Sequence, residues 1–475
     1  MLDKKHAALR GRLVIVGFGS IGQGVLPLLL SHVEIDRARA AIVTADPRGR
    51  EEAAEYGIAF DETPLTRDNY RAVLEPRIGP GDFLLNLSVD VSSTAMIELC
   101  QEKGVLYLDT CIEPWPGGYT DPSLPPSARS NYALRESALA LRQRYPRGPT
   151  AVVTHGANPG LVSHFVKQAL VDLARASSAD ADADATVPRD RADWAHLAQR
   201  LGVKVIHIAE RDTQVSNIPK MPGEFVNTWS IDGFVSEGSQ PAELGWGTHE
   251  RHFPADGRRH DFGGGAAIYL LRPGAATRVR SWTPLEGPYY GYLITHGESI
   301  SIADFLTLRE GGEARYRPTC HYAYHPCDDA VLSLHEFAGK NWRLQAAKRL
   351  MMDEITTGTD ELGVLLMGQL GRVYWYGSRL TIDEARRVAP HNNATSLQVT
   401  AAVLGGLVWA LEHPREGIAE PEDMDFARVL EVARPYLGDI AGVYGSWTPL
   451  EDRERLFPED LDRDDPWQFK NIRVV

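Results

Sequence analysis

Long apolar runs are what this sequence has least of. The longest, Val399 to Leu411, is interrupted by Thr400, Gly405 and Gly406 and falls short of the roughly eighteen to twenty residues that a membrane span requires. The basic start Met1-Leu2-Asp3-Lys4-Lys5 leads into an apolar run that turns at once glycine-rich, with no small-residue cleavage site behind it, so neither a signal peptide nor a membrane anchor is expected. Cysteine is equally scarce. Four thiols (Cys100, Cys111, Cys320, Cys327) in 475 residues cannot staple so long a chain, and the expected compartment is a reducing cytoplasm. Positive charge is also in deficit: 50 Lys and Arg face 64 Asp and Glu, a net charge of −14. That balance repels phosphate backbones and anionic lipid, which argues against nucleic acid or a membrane as partner and in favour of a cationic substrate. There is no G-x-S-x-G, no P-loop, no H-E-x-x-H and no internal repeat, so serine hydrolase, P-loop kinase and zincin chemistry have no support.

What is present reads as an ordinary globular chain, 43% apolar and 24% charged, long enough for two large units or three smaller ones. The first 160 residues alternate apolar runs (Leu13–Val16, Ala41–Thr44, Phe83–Leu87, Val105–Leu108, Ala151–Thr154) with helical patterns at Ile21–Ser31, Ser93–Lys103 and Ala128–Tyr145. This order predicts βαβ units and a Rossmann-type, doubly wound parallel sheet. The small, acidic stretch Ala176–Pro188 reads as a solvated loop. From Val203 to about Tyr376 the chain is rich in β-formers and turn residues, which predicts a second α+β unit on a mostly antiparallel sheet. The expected division is a dinucleotide-binding unit at 1–158 and a substrate and dimerisation unit at 159–475, with the helix from about residue 395 packing back on the first.

Val14-Ile15-Val16-Gly17-Phe18-Gly19-Ser20-Ile21-Gly22 is a strand running into G-x-G-x-x-G and then a helix, the context in which that motif binds a dinucleotide. Gly17 permits the tight turn, Gly19 lets backbone approach a pyrophosphate, and Gly22 allows close helix packing, while Ser20 and Ile21 open the helix whose N–H groups face the phosphates. Asp46 ends the second strand, where its carboxylate can accept from both adenosine ribose hydroxyls and repel a 2′-phosphate, favouring NAD. Arg48 weakens that preference. Asn86 and Ser88, Asp109 and Thr110, and Asn158 fall on the same carboxyl edge, where open α/β sheets bind ligands. Each could equally serve as a helix cap.

Between Val205 and Glu250 the acids Glu210, Asp212, Glu224, Asp232, Glu237, Glu243 and Glu250 face only Arg211 and Lys220, with Trp229 and Trp246 among them. A substrate carboxylate calls for guanidinium or ammonium. Carboxylates beside an indole suit an alkylammonium, which gains an ion pair and a cation–π contact. The alternative is a solvated acidic face over core tryptophans. His296, after the apolar run Tyr292–Thr295, could move protons at an amine or an imine, or be a structural histidine. Cys320-His321-Tyr322-Ala323-Tyr324-His325-Pro326-Cys327 crowds potential zinc ligands, but adjacent Cys320 and His321 cannot readily aim at one centre, so a packed aromatic strand is expected and no metal.

The stretches VGFGSIGQG, LNLSVDVSS, EPWPGGYTDP, HGANPGLVSHFVKQAL, HIAERDTQ, FVNTWSIDGFVSEGSQPAELGWGTHE, ITHGESISIADF and RPTCHYAYHPCDDAVLSLHE, with ELGVLL, VYWYGS and DPWQFKN, resemble the bacterial homospermidine synthases, whose dinucleotide domain is similar to that of saccharopine-dehydrogenase-like proteins. The resemblance spans nearly the whole chain. It implies a homodimer holding NAD that joins two putrescines into sym-homospermidine and ammonia, or takes the aminobutyl group from spermidine and releases 1,3-diaminopropane. By the same resemblance Trp229 is a cation–π platform, Glu210 and Glu237 bind ammonium, Asn158 lies beside the nicotinamide, His296 belongs to the inner site, and Asp90, Glu113 and Asp360 are further acidic positions for the substrate. Two other readings remain: an amine dehydrogenase of the saccharopine or carboxyspermidine type, which should carry basic residues for a substrate carboxylate, and a non-catalytic NAD-binding regulator.

Overall fold

A computed structural model describes residues 4–177, 187–368 and 372–475; most of the acidic segment from Ala176 to Pro188 therefore lies outside the described residues. Strands β1 (Leu13–Val16), β2 (Ala40–Thr44), β3 (Ala59–Glu62), β4 (Phe83–Asn86), β5 (Leu106–Asp109) and β6 (Ala151–Val152) form a parallel sheet. The order is Ile418–Ala419, β6, β5, β4, β1, β2, β3. Leu13–Val16 and Phe83–Asn86 are buried at every position, because helices cover both faces and leave no polar side for alternation. Helices α1 (Ser20–His32), α2 (Ser93–Lys103) and α3 (Asn131–Arg144) connect these strands. The last starts three residues later than the periodicity suggests, since Ser130 accepts from Ala133 N–H and residues Pro126–Ala128 form a separate turn.

The second sheet has eleven strands. Its centre is β7 (Val203–Asp212), beside which run β8 (Pro241–Gly245), β9 (Thr319–His325), β10 (Thr359–Gly368) and β11 (Val373–Thr381). The path runs Gly257–Arg259, Ala267–Pro273, β8, β9, β7, β10, β11, Asp439–Gly445, with a hairpin of Arg278–Thr283 and Gly287–Tyr292 attached to β9. Only β7 and β9 pair in parallel; the other pairings are antiparallel. Helices α4 (Ile231–Ser239) and α5 (Gly297–Phe305) lie in this part of the chain.

Helix α6 (Ala394–Glu412) is longer than the apolar tract inside it, and at 19 residues it has the length and composition of a membrane span. It is instead a core helix, 89% of its apolar window being buried. Leu397, Leu404 and Leu407 pack in the apolar cluster that also holds Leu26 of α1 and Ile206 and Tyr322 of the second sheet. Asn392, just before α6, donates to Gly24 O of α1 at 3.1 Å. After α6 the chain adds Ile418–Ala419 to the first sheet beside β6. Residues far apart in sequence thus close one cleft between the two sheets.

Candidate active site

The first half of the cleft is built by backbone. Gly17 adopts φ +80°, and a Cβ there would sit 2.8 Å from Ser88 Cα, so the turn after β1 packs directly on the turn after β4. Gly22 is equally crowded, with Phe18 Cδ2 at 2.8 Å from a Cβ position. At Gly19 a Cβ would meet nothing within 4 Å, which leaves open space above the start of α1. That helix begins without a side-chain cap or an acid in its first turn. Its free N–H groups and dipole therefore face the cleft, the arrangement that takes a phosphate. Asp46 lies at the far end; its Oδ1 accepts from Arg48 N at 2.9 Å and its Oδ2 from Arg48 Nε at 2.6 Å. The hydrogen bonds from Arg48 hold the Asp46 carboxyl below the usual carboxylate range.

Gly17, Gly19, Ser20, Ile21, Asp46, Ser88 and Thr110 share one cavity of about 1200 Å³ with Asp90, Glu113, Asn158, Glu210, Trp229, Glu237 and His296. The structure brings the two proposed half-sites together. In the amine half, Glu210 ends up on the cleft side of β7, where its Oε2 accepts from Asn158 Nδ2 at 2.8 Å and from the Tyr322 hydroxyl. Burial pushes the Glu210 carboxyl up to about 7, against the pull of those hydrogen bonds. Tyr322 stacks on Tyr324 with ring centroids 5.0 Å apart, and Tyr324 Oη accepts from Trp229 Nε1 at 3.0 Å. One hydrogen-bonded and stacked chain therefore fixes the half-buried indole and the carboxylate together.

His296 Nε2 lies 2.9 Å from Glu237 Oε2, and His296 Nδ1 lies 3.3 Å from Glu298 Oε1. Burial alone would lower the imidazole, but the two carboxylates outweigh it and hold His296 well above its ordinary value. The protonated imidazolium is thus favoured more than in an ordinary histidine. Cys111 Sγ is 3.7 Å from Glu237 Oε1. Burial, followed by the charges of Glu237 and Asp90, pushes the Glu113 carboxyl well up. Burial and then Asp232 raise Asp90, a non-glycine residue at φ +63° near the mouth. Among the described residues, the Lys and Arg side chains lining the cavity are Arg48 and Arg50 at the Asp46 end and Lys348, which is ion-paired to Asp232.

The chain matches the saccharopine dehydrogenase NADP binding domain over residues 13–152 and the saccharopine dehydrogenase C-terminal domain over residues 156–445. It is 58% identical to a homospermidine synthase of Blastochloris viridis over 98% of this chain and 97% of that one. It is 51% identical to a homospermidine synthase of Mesorhizobium japonicum over the full length of both. The chain belongs to the homospermidine synthases. A crystal structure of the homospermidine synthase from Legionella pneumophila in complex with NAD superimposes with a TM-score of 0.92 at 49% identity, over 100% of this chain and 99% of that one.

Some expected site residues stand back from the cleft of this homospermidine synthase. Asn86 and Asp109 do not line it. The Asn86 side-chain Oδ1 accepts from Ser88 N and Oγ, and Asp109 accepts from Thr154 N at 2.6 Å and Tyr107 Oη at 2.7 Å. They brace the floor under the carboxyl edge, and burial pushes Asp109 up to about 6. Asp360 also lies behind the wall, fully buried, with Asp212 opposite it in the sheet and no hydrogen-bond partner on either carboxylate oxygen. The acidic cluster is divided by fold. Glu243 accepts from Asn131 N at 2.8 Å and so caps α3; Glu224 pairs with Arg349 at 3.0 Å, and Glu250 takes Thr319 Oγ1 at 2.6 Å. Trp246 packs against Phe253 and Phe469. Only Glu210, Asp232 and Glu237 of that set line the cavity.

Cys320 to His325 belong to β9, whose alternation puts Tyr322 and Tyr324 in one core and Ala323 in the opposite one, while Cys327 is the N-cap of the helix Asp328–Gly339. Among the described residues no group of three or more His, Cys, Asp or Glu is placed to hold a metal ion. Tyr322, Tyr324, Glu298 and Cys111 are the participants that motif reasoning does not single out. The two-residue period of β9 was the available signal for the tyrosines.

Proposed function

We propose that this chain is an NAD-dependent homospermidine synthase. It transfers the aminobutyl group of one putrescine to a second, giving sym-homospermidine and ammonia, and accepts spermidine as donor with 1,3-diaminopropane leaving. One observation carries the proposal: a pocket of buried carboxylates and an indole, in which among the described residues the nearby bases His296 and Lys348 are already paired with Glu237 and Asp232, opens beside an uncapped helix N-terminus in the same cavity. The residues fit a dinucleotide, with Gly19 and the first turn of α1 at the pyrophosphate, Asp46 at the adenosine ribose, and Ser88, Thr110 and Asn158 along the way to the nicotinamide. Arg48 pairs with the Asp46 carboxylate and offsets its charge, which weakens the repulsion of a 2′-phosphate. When bound, NAD supplies an acceptor for hydride at a substrate carbon and a donor when that carbon is reduced again.

The chain's own residues prepare the amine. Hydride leaves a carbon bearing a neutral amine more readily than one bearing ammonium, so the reacting end must lose a proton from a group of pKa about 10, as in lysine. Glu210, poised near 7 and held by Asn158 and Tyr322, is placed to take it. The distal ammonium stays charged on the face of Trp229, with Asp90 nearer the entrance and Glu113 in the inner pocket. Tyr322, Trp229 and the buried acids keep water from the imine, which would otherwise hydrolyse before the second amine arrives. An amine dehydrogenase of the saccharopine type would need a cation near Trp229 for its carboxylate, and the bases of the cavity lie at its other end or are tied to Asp232.

The same reading takes the protein as a cytoplasmic homodimer acting on small polyamines, without nucleic acid or membrane partners; four free thiols and a charge of −14 support it. Incubation of the purified protein with NAD and putrescine should release ammonia and yield one triamine in equal amount. Accumulation of NADH without triamine would assign the cleft to a dehydrogenase.

A further inference from the structure

Behind His296, away from the cavity, lies a carboxylate that the steps above do not use. Glu298 is in the first turn of α5, its side chain is fully buried, and neither of its oxygens accepts a well-aligned hydrogen bond. An ionised carboxylate removed from water needs a nearby cation. The partial positive charge of the α5 N-terminus supplies some of that. The one imidazole in reach supplies the rest, His296 Nδ1 lying 3.3 Å from Glu298 Oε1. We propose that Glu298 is a positioning residue that keeps His296 as imidazolium with its Nε2–H aimed at Glu237, so that the His296–Glu237 pair gives a proton to the departing amine through the Glu237 carboxyl, which lines the cavity.

The surroundings of His296 point the same way from every element packed on it. Glu237 faces it from α4 at 2.9 Å, Glu298 from its own helix, the Tyr322 ring from β9 at 4.4 Å between centroids, and the charge of Glu210 reaches it from β7. The Cys320 thiol near Glu298 is pushed well up by burial and by that carboxylate, and so stays neutral. Among the described residues these neighbours are acids or neutral groups. The proton count closes. The second amine adds to the carbon of the protonated imine and passes one proton to Glu237 as its C–N bond forms; the Glu237–His296 pair then returns one proton to the first nitrogen as its C–N bond breaks and ammonia leaves, so the pair ends with the protons it began with.

The role of His296 in expelling ammonia rests on the aminobutyl-transfer reading, whereas its charge state does not, and the test separates the two. In full-length, NAD-loaded protein with isotope-labelled histidine, the His296 ring is identified by the signal lost in His296→Gln and followed by NMR from about pH 6 to 9, the range in which an ordinary imidazole titrates. The wild-type ring should remain charged throughout. In Glu298→Gln its midpoint should fall into that range, and kcat with putrescine should drop tenfold or more, as expected when a general acid is lost, mainly on the alkaline side and with little change in KM. Glu298→Asp should recover part of both effects. A wild-type ring that titrates at an ordinary midpoint, or a Glu298→Gln protein with unchanged midpoint and alkaline limb, overturns the proposal. If Glu298→Gln does not fold, the midpoint in Glu298→Asp decides, a lowered value supporting the proposal and an unchanged one refuting it. Absence of triamine in the wild-type reaction would defeat the transfer reading while the NMR midpoint still decides the role of Glu298.

Discussion

Trp229 lines the cleft with its N–H donated to Tyr324, and the proposed reaction seats an ammonium on the face of its ring. If an ammonium rests on that face, phenylalanine should retain part of the attraction and leucine only bulk. A cation–π contact of about 0.5–2 kcal/mol corresponds to roughly a twofold to thirtyfold loss in kcat/KM for putrescine, in the order Trp, Phe, Leu. Equal activity of the Phe and Leu variants would reduce Trp229 to packing. Glu210 gives a pH signature. Burial raises its folded value to about 7, so it is protonated below that pH and able to accept a proton only above it. The putrescine kcat/KM should therefore rise through pH 7, and Tyr322→Phe, which removes a hydrogen bond to the ionised form, should move the rise to higher pH. The sign for stability is opposite: a carboxyl with a raised folded value favours the folded state most at acid pH, and that contribution is lost as pH climbs from the unfolded value near 4 toward 7. A limb that does not move in Tyr322→Phe would take Glu210 out of the proton step.

At the scale of elements, the turn from β1 into α1 carries the cofactor claim. Gly19→Val fits sterically in the free protein, since a Cβ there meets nothing within 4 Å, so the fold should survive while the branched side chain fills the space a pyrophosphate needs. Bound NAD, measured by absorbance of the purified protein or by titration calorimetry, should fall below stoichiometric. Retention of full NAD would refute the assignment. This element is legible in the sequence because a buried parallel strand is a continuous apolar run and the glycines mark its turn. The acids are less legible. Glu237 and Glu243 sit six positions apart in similar surroundings, yet one faces the cleft from α4 and the other caps α3, a distinction set by which tertiary neighbour arrives. Asn86 and Asp109 lie at strand ends as expected, but their side chains turn down to Ser88 and Tyr107, which one-dimensional spacing does not encode. Helix α6 is legible as well: the apolar tract predicts a start near residue 395, one residue into the helix that Asn393 caps by accepting from Ser396 N–H.

At the scale of the molecule, the cleft exists because one apolar core joins the sheets, α6 packing on α1 while the strand after it completes the first sheet. In the proposed reaction NAD and amine share this cleft, and hydride is borrowed within it and returned to the same carbon. The decisive experiment uses putrescine deuterated at both terminal carbons, with unlabelled NADH added to the solution, and mass spectrometry of the triamine. The product should retain every deuterium and not be diluted by the free NADH, because the cofactor does not leave between the two half-reactions. Loss of one deuterium per triamine, or stoichiometric build-up of NADH, would contradict it.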